Sequence, residues 1–132
     1  MLKKRVASVT LFLYTGCMHE MSIAAGIWST VVDALDSGGH AKLLNVEVTL
    51  GEYLGVVNES LDLCWEAITM DDPRAIGSVL TLTLEPTEVA CHQCQQTWLF
   101  NDHRYTCPQC GVSDSHIERG QSLFVNQIEV EE

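Results

Sequence analysis

At 132 residues, 46% hydrophobic and 19% charged, the chain is long enough for one ordinary core and too apolar for intrinsic disorder. Its net charge of −11, from 7 basic and 18 acidic side chains, repels phosphate backbones and provides no basic stripe, which argues against a nucleic-acid partner. Three of the seven basic residues precede Met18 and none of the acids do, so the body from Met18 onward sets four against eighteen, a net of −14.

The first seventeen residues, "MLKKRVASVTLFLYTGC", have a basic start, an apolar run from Val6 to Tyr14 and small residues before Cys17. That is the layout of a short secretory signal, and Gly16-Cys17 is similar to a lipoprotein cleavage site, although Tyr14 stands where an aliphatic residue is preferred. The run is too short to span a bilayer as a helix. The favoured reading is that residues 1–17 are an extension ahead of a true start at Met18. Paired cysteines without a disulfide framework place the protein in the reducing cytoplasm, not at a membrane or outside it.

Met18, His19 and Glu20 follow, and two readings fit them. They are the first turn of a helix, with Glu20 favourable near its positive end. Alternatively, a terminal Met18 amine, the His19 imidazole and the His19 and Glu20 amides enclose an ion in one plane, a geometry that suits Ni(II) or Cu(II) better than zinc. From Glu20 a helical stripe takes in Met21, Ala24, Ile27, Trp28, Val31 and Leu35 and stops at Ser37-Gly38-Gly39. "LLNVEVTL" alternates, with Leu44, Val46, Val48 and Leu50 on one face, and predicts a strand. Asn58 is placed to cap a second helix with stripe Leu61, Cys64, Trp65 and Ile68, which "DDP" at Asp71 closes. Cys64 in this pattern reads as a small buried hydrophobe. A strand through Leu80, Leu82 and Leu84 follows, and a last apolar strand puts Phe124, Ile128 and Val130 on one parity. The expected fold is α+β: two helices on one face of a small sheet, with a zinc-ribbon-like module inserted between the last two strands, which can pair as neighbours.

That module is "CHQCQQTWLFNDHRYTCPQC", with Cys91 and Cys94 separated by twelve residues from Cys107 and Cys110. Each pair is a turn that presents two thiolates, and a hairpin between them completes a tetrahedral sulfur set for zinc or iron. Zinc is preferred, because nothing else in the chain supplies a redox partner. A closed four-thiolate zinc site is structural and leaves no open position for catalysis. His92, His103 and His116 lie in or near the module and read as exposed loop residues, with exchange for a thiolate as the alternative. No nucleophile with a matching base and no phosphate loop is present, so an enzyme is not expected.

Together these residues resemble the hydrogenase-maturation nickel metallochaperones, the HypA/HybF family. "MHEMSI" with its helix is similar to the family's amino terminus, "VEVTLGEYLGVVNESL" to its first strand and turn into the second helix, "CHQC" and "CPQC" to its zinc knuckles, and "GQSLFVNQIEVE" to its closing strand. The resemblance covers Met18 to about Glu131. It implies a nickel-binding α+β domain over 18–88 and 117–132 whose ligands are Met18, His19 and Glu20. It also implies a zinc module over 89–116 with Cys91, Cys94, Cys107 and Cys110. Implied partners are the large-subunit precursor of nickel-iron hydrogenase, a maturation GTPase and, in some organisms, the urease accessory system. The sequence departs from the family in its seventeen leading residues, which would turn the Met18 amine into an amide. It also has Gln95 and Gly111 beside the knuckles where some members carry His. The competing functions are a zinc-ribbon interaction adaptor that never handles nickel and a rubredoxin-like iron electron carrier.

Overall fold

The computed structural model describes residues 3–13, 20–40 and 42–131, with the side chains of the first strand limited to Arg5 and Val6. Within them the chain forms a four-stranded and a three-stranded sheet. The larger contains β1 (Lys3–Leu13), β2 (Lys42–Gly51), β3 (Val79–Glu85) and β7 (Ser122–Glu131), in the order β1-β7-β2-β3. Helices α1 (Glu20–Gly38) and α2 (Asn58–Thr69) bury their apolar stripes in its core.

The α1 stripe is Ile23, Ala24, Ile27, Val31 and Leu35, all fully buried. Recurrence at three and four puts these on one face; each large aliphatic among them contributes on the order of 2 kcal/mol by leaving water. Met21, expected inward, is 45% exposed, and Ile23 takes its place. The helix ends as the glycines dictate. Gly39 adopts φ 64°, the His40 N–H donates to the Leu35 carbonyl at 3.0 Å, and the Gly39 N–H donates to Asp36. In α2, Leu61, Trp65 and Thr69 are buried, with Cys64 and Ile68 packed alongside. The Trp65 indole donates to Ser78 Oγ at 3.0 Å and meets Trp28 edge-on, 5.8 Å between ring centroids. Asn58 does not cap this helix. It is the first helical residue, Val57 is the N-cap, and the Val57 N–H donates to the Glu20 carboxylate at 3.4 Å. The start of α1 is thereby tied to the start of α2.

Strand pairing departs from the sequence expectation in three ways. First, the two strands flanking the cysteine module do not pair with each other. β3 runs parallel to β2, with α2 as the crossover, and β7 runs antiparallel to β2 on its other side. Second, register shifts lie between Leu43 and Asn45 and between Glu47 and Val48, so Leu44 on β2 and Asn126 on β7 are extra residues in the ladder. Each bulge resets the alternation. Leu43 is therefore buried in place of Leu44, and Leu123 and Val125 are buried in place of Phe124. Third, the apolar run of the leading segment forms β1 as far as Leu13 and pairs antiparallel with β7, from Lys3 opposite Glu131 to Leu13 opposite Ser122. Val6 packs against the core while Arg5 is exposed.

The smaller sheet contains β4 (Glu88–Cys91), β5 (Thr97–Leu99) and β6 (Ser115–Arg119), in the order β5-β4-β6, with the short helix α3 (Phe100–His103) after β5. Its core is Val89, Cys91, Trp98 and Cys107, with Phe100, Cys110 and Val112 partly buried against them.

Candidate metal centre

The two knuckles are built alike. In the first, the Cys91 N–H donates to the Gln96 carbonyl at 2.9 Å and the Gln95 N–H donates to the Cys91 carbonyl at 3.1 Å. In the second, the Cys107 N–H donates to Val112 at 2.9 Å and the Gly111 N–H donates to Cys107 at 3.0 Å. The residue after each second cysteine closes the turn in the left-handed region, Gln95 at φ 64° and Gly111 at φ 76°. β4 leads into the first knuckle, and β5 with α3 carries the chain back to the second. The Trp98 indole braces this return by donating to the Arg104 carbonyl at 2.7 Å.

The four sulfurs predicted as ligands are brought together. Cys91 and Cys110 Sγ are 3.6 Å apart, Cys94 and Cys107 Sγ are 3.5 Å apart, and all four lie within 4.8 Å of one another. A tetrahedron with arms of ~2.3 Å, the zinc–thiolate length, has edges of about 3.8 Å, so the cluster fits a four-thiolate zinc site. Among the described residues it is the only group of three or more potential ligands at such separations.

Left to themselves, the sulfurs ionise unequally. Burial opposes ionisation of Cys107, but the N–H groups of Cys110 and Gln109 and the neighbouring thiols hold its pKa down to about 6. At Cys110 the Val112 N–H favours the thiolate, yet burial and hydrogen bonds to Cys107, Cys91 and Cys94 push it up to about 12. Cys91 is lowered, chiefly by the Cys94 N–H, and Cys94 is raised, because burial and the Cys107 thiol outweigh the Gln96 N–H. Four thiolates cannot share so small a volume without a cation. A zinc ion held by Cys91, Cys94, Cys107 and Cys110 would supply that charge and fix the two knuckles against each other.

The other candidates fall elsewhere. Met18 and His19 lie outside the described residues, and Glu20 opens α1 with its carboxylate on the Val57 N–H. Cys64 is half-buried on α2 against the main core. His103 is exposed at the end of α3. His92 and His116, expected as exposed loop residues, are exposed, with His116 on β6 and the two rings stacked at 4.6 Å.

Sequence reasoning also missed how the cysteine module is held. Tyr53, in a single 3₁₀ turn over Glu52–Leu54, meets Phe100 edge-on at 5.4 Å and shares a 2.6 Å hydrogen bond with the Tyr105 hydroxyl. The Tyr53 N–H donates to the Gly120 carbonyl, as does the Thr87 hydroxyl, and the Gly120 N–H donates to Glu85. Gly120 has φ 88°; a Cβ there would strike Pro86 and Thr87, and one on Gly51 would strike Gly120. The glycines flanking "GEYLG" and "RGQS" were the only signal in the sequence.

Comparison with known proteins places this architecture. The family model for hydrogenase/urease nickel incorporation, metallochaperone, hypA, matches residues 18–130. The chain is 30% identical over 115 residues to hydrogenase maturation factor HypA of Dehalococcoides mccartyi strain 195, covering 87% of this chain and 96% of that protein. It is 33% identical over 114 residues to hydrogenase maturation factor HypA of Chlorobaculum parvum, covering 86% and 100%. The solution structure of the Ni metallochaperone HypA from Helicobacter pylori superposes with a TM-score of 0.64 at 18% identity, covering 87% of this chain and all of that one, and so shares its fold. The α+β architecture and the four-cysteine cluster are those of this group, and the chain belongs to the HypA family of nickel metallochaperones for hydrogenase maturation.

Proposed function

We propose that this chain holds Ni(II) at Met18, His19 and Glu20 and releases it to the large-subunit precursor of a nickel-iron hydrogenase. A separate GTPase and, where urease is made, its accessory system would be partners, and the chain itself would catalyse no reaction. The observation that carries this reading is where the family match begins: it starts at Met18, immediately before α1, and takes in 96–100% of the relatives' own lengths. A site made of one imidazole and backbone nitrogens, with few side-chain ligands to hold the ion, would surrender it as delivery requires. A hydrogenase matured in the cytoplasm would place the chain there, and among the described residues no helix is long and apolar enough to cross a membrane.

The amine ligand exists only where Met18 is the first residue. In a chain that continues through Cys17 the same nitrogen is an amide, a poorer ligand until deprotonated. Nickel titrations of the full chain and of a chain beginning at Met18 test this. The shorter chain is expected to bind more tightly, and His19→Ala to abolish binding at this segment in both. Tight binding at that segment in the His19→Ala protein would sink the assignment, and zinc retention with no nickel binding would favour the interaction-adaptor reading.

A further inference from the structure

Beside the cysteine cluster the small sheet brings two histidines together. Ala90 on β4 pairs with His116 on β6, Cys91 pairs with Ser115, and just past the ladder the His92 N–H donates to the Asp114 carbonyl. Alternation sends His92, Asp114, His116 and Glu118 to the same face. There the imidazoles of His92 and His116 stack, 4.6 Å between centroids and 18° from parallel. Each ring has one nitrogen on a carboxylate: His92 Nδ1 lies 2.7 Å from Asp114 Oδ1, and His116 Nε2 lies 3.3 Å from Glu118 Oε2. Nε2 of His92 and Nδ1 of His116 are left over. Both side chains are close to half exposed and line an open pocket with Cys91, Gln95 and Glu118.

We infer that His92 and His116 form a second metal site, a weak bis-imidazole chelate for a divalent ion such as Ni(II), distinct from the four thiolates and from Met18–Glu20. A carboxylate on the far nitrogen is how metal-binding histidines are commonly held: it fixes the tautomer, aims the ring and raises the basicity of the free nitrogen. Two such rings, one on β6 and one just past the end of β4, bring two ligands of the type that suits nickel, copper and zinc. With metal–nitrogen distances of ~2.1 Å, two cis ligand nitrogens are about 3.0–3.4 Å apart on one ion, so rings whose centroids lie 4.6 Å apart would turn about their side-chain bonds to share it. Exposed side chains tilt freely. Asp114 and Glu118 face the imidazoles and not a common centre, so water would complete the shell and the ion would exchange readily. The thiolate cluster does not compete for this role, because a closed tetrahedron has no position to lend.

The test uses the full chain, loaded with zinc, in a His19→Ala background that removes the proposed amino-terminal site, with Ni(II) alone as the probe. Equilibrium dialysis with metal analysis is expected to show nickel bound in addition to retained zinc. His116→Gln and His92→Gln should each remove it, and Glu118→Ala should weaken it about tenfold or more. Unchanged zinc content in the variants would establish that they fold. No added nickel, nickel binding indifferent to His116→Gln, or a thiolate-to-nickel charge-transfer band would overturn the inference. The amino-terminal site is read separately, by titrating the His92→Gln/His116→Gln chain with His19 intact, so either assignment can fail alone.

Discussion

Gln95 and Gly111 occupy equivalent places in two equivalent turns, both with positive φ. A residue with a Cβ costs ~1–2 kcal/mol in this region, and nothing lies within 4 Å of a Cβ at Gly111, so only the backbone term is at stake there. Gly111→Ala is therefore expected to cost about 1 kcal/mol. Because knuckle folding and metal binding are coupled, chelator competition should show it as roughly fivefold weaker zinc affinity. Gln95→Gly should shift affinity the other way by less, since relief of strain is partly offset by glycine's extra freedom in the unfolded chain. Unchanged zinc affinity in Gly111→Ala, or weaker affinity in Gln95→Gly, would show that the left-handed backbone at these two positions is not what sets the effect. The ligands were legible because their chemistry is local: two cysteines three apart make a turn wherever they occur. The stacking of His92 on His116 was not, because it depends on the register of β4 against β6, which no short motif encodes.

Helices read better than strands in this chain, for a physical reason. A helical stripe survives small errors in phase, and the expected stripes needed Ile23 exchanged for Met21 and Thr69 added, while the cap of α2 moved by one residue to Val57. A strand's alternation has period two, so the single extra residues at Leu44 and Asn126 send every later side chain to the other face. The turn after α2 was read from "DDP", but its main device is the next residue. Arg74 Nη2 lies 2.8 Å from Asp72 and its Nη1 lies 2.7 Å from Asp36 at the end of α1, which fastens the two helix ends together. The hydrogen bond from the Arg74 side chain holds the Asp72 carboxyl below its ordinary 3.8. A carboxyl depressed in the folded state contributes stability that is complete above the unfolded value and is lost as pH falls through the folded one. Asp72→Asn should therefore lower the urea midpoint at neutral pH, and its gap from the parent protein should close in acid, below 3.8. A gap that is constant with pH would mean that the charge of Asp72 contributes nothing.

At the scale of the molecule the two sheets rest on cores of different kinds. Among the described residues the core of the larger holds sixteen buried side chains, drawn from both helices and from β2 and β7 among its elements, with no thiolate ligand among them. The smaller holds four, and two of those are the ligands Cys91 and Cys107. A unit of that size depends on its ion for its fold. The contacts between the sheets, Tyr53 on Phe100 and Tyr105 and the close approach of Gly51 to Gly120, require both to be folded. Removing zinc with a chelator should therefore unfold the smaller sheet and free Tyr53, while the larger persists. Two indoles report the halves separately. Trp98 donates to Arg104 inside the cysteine module, and Trp65 donates to Ser78 beneath α2. After chelation the Trp98 indole N–H is expected to lose its protection from solvent exchange and move to its unfolded chemical shift, with the Trp65 signal nearly unchanged. Restoring zinc should bring the Trp98 signal back. Loss of both indole signals together would show one cooperative unit, and loss of neither would show that the smaller sheet holds without its thiolate-bound ion.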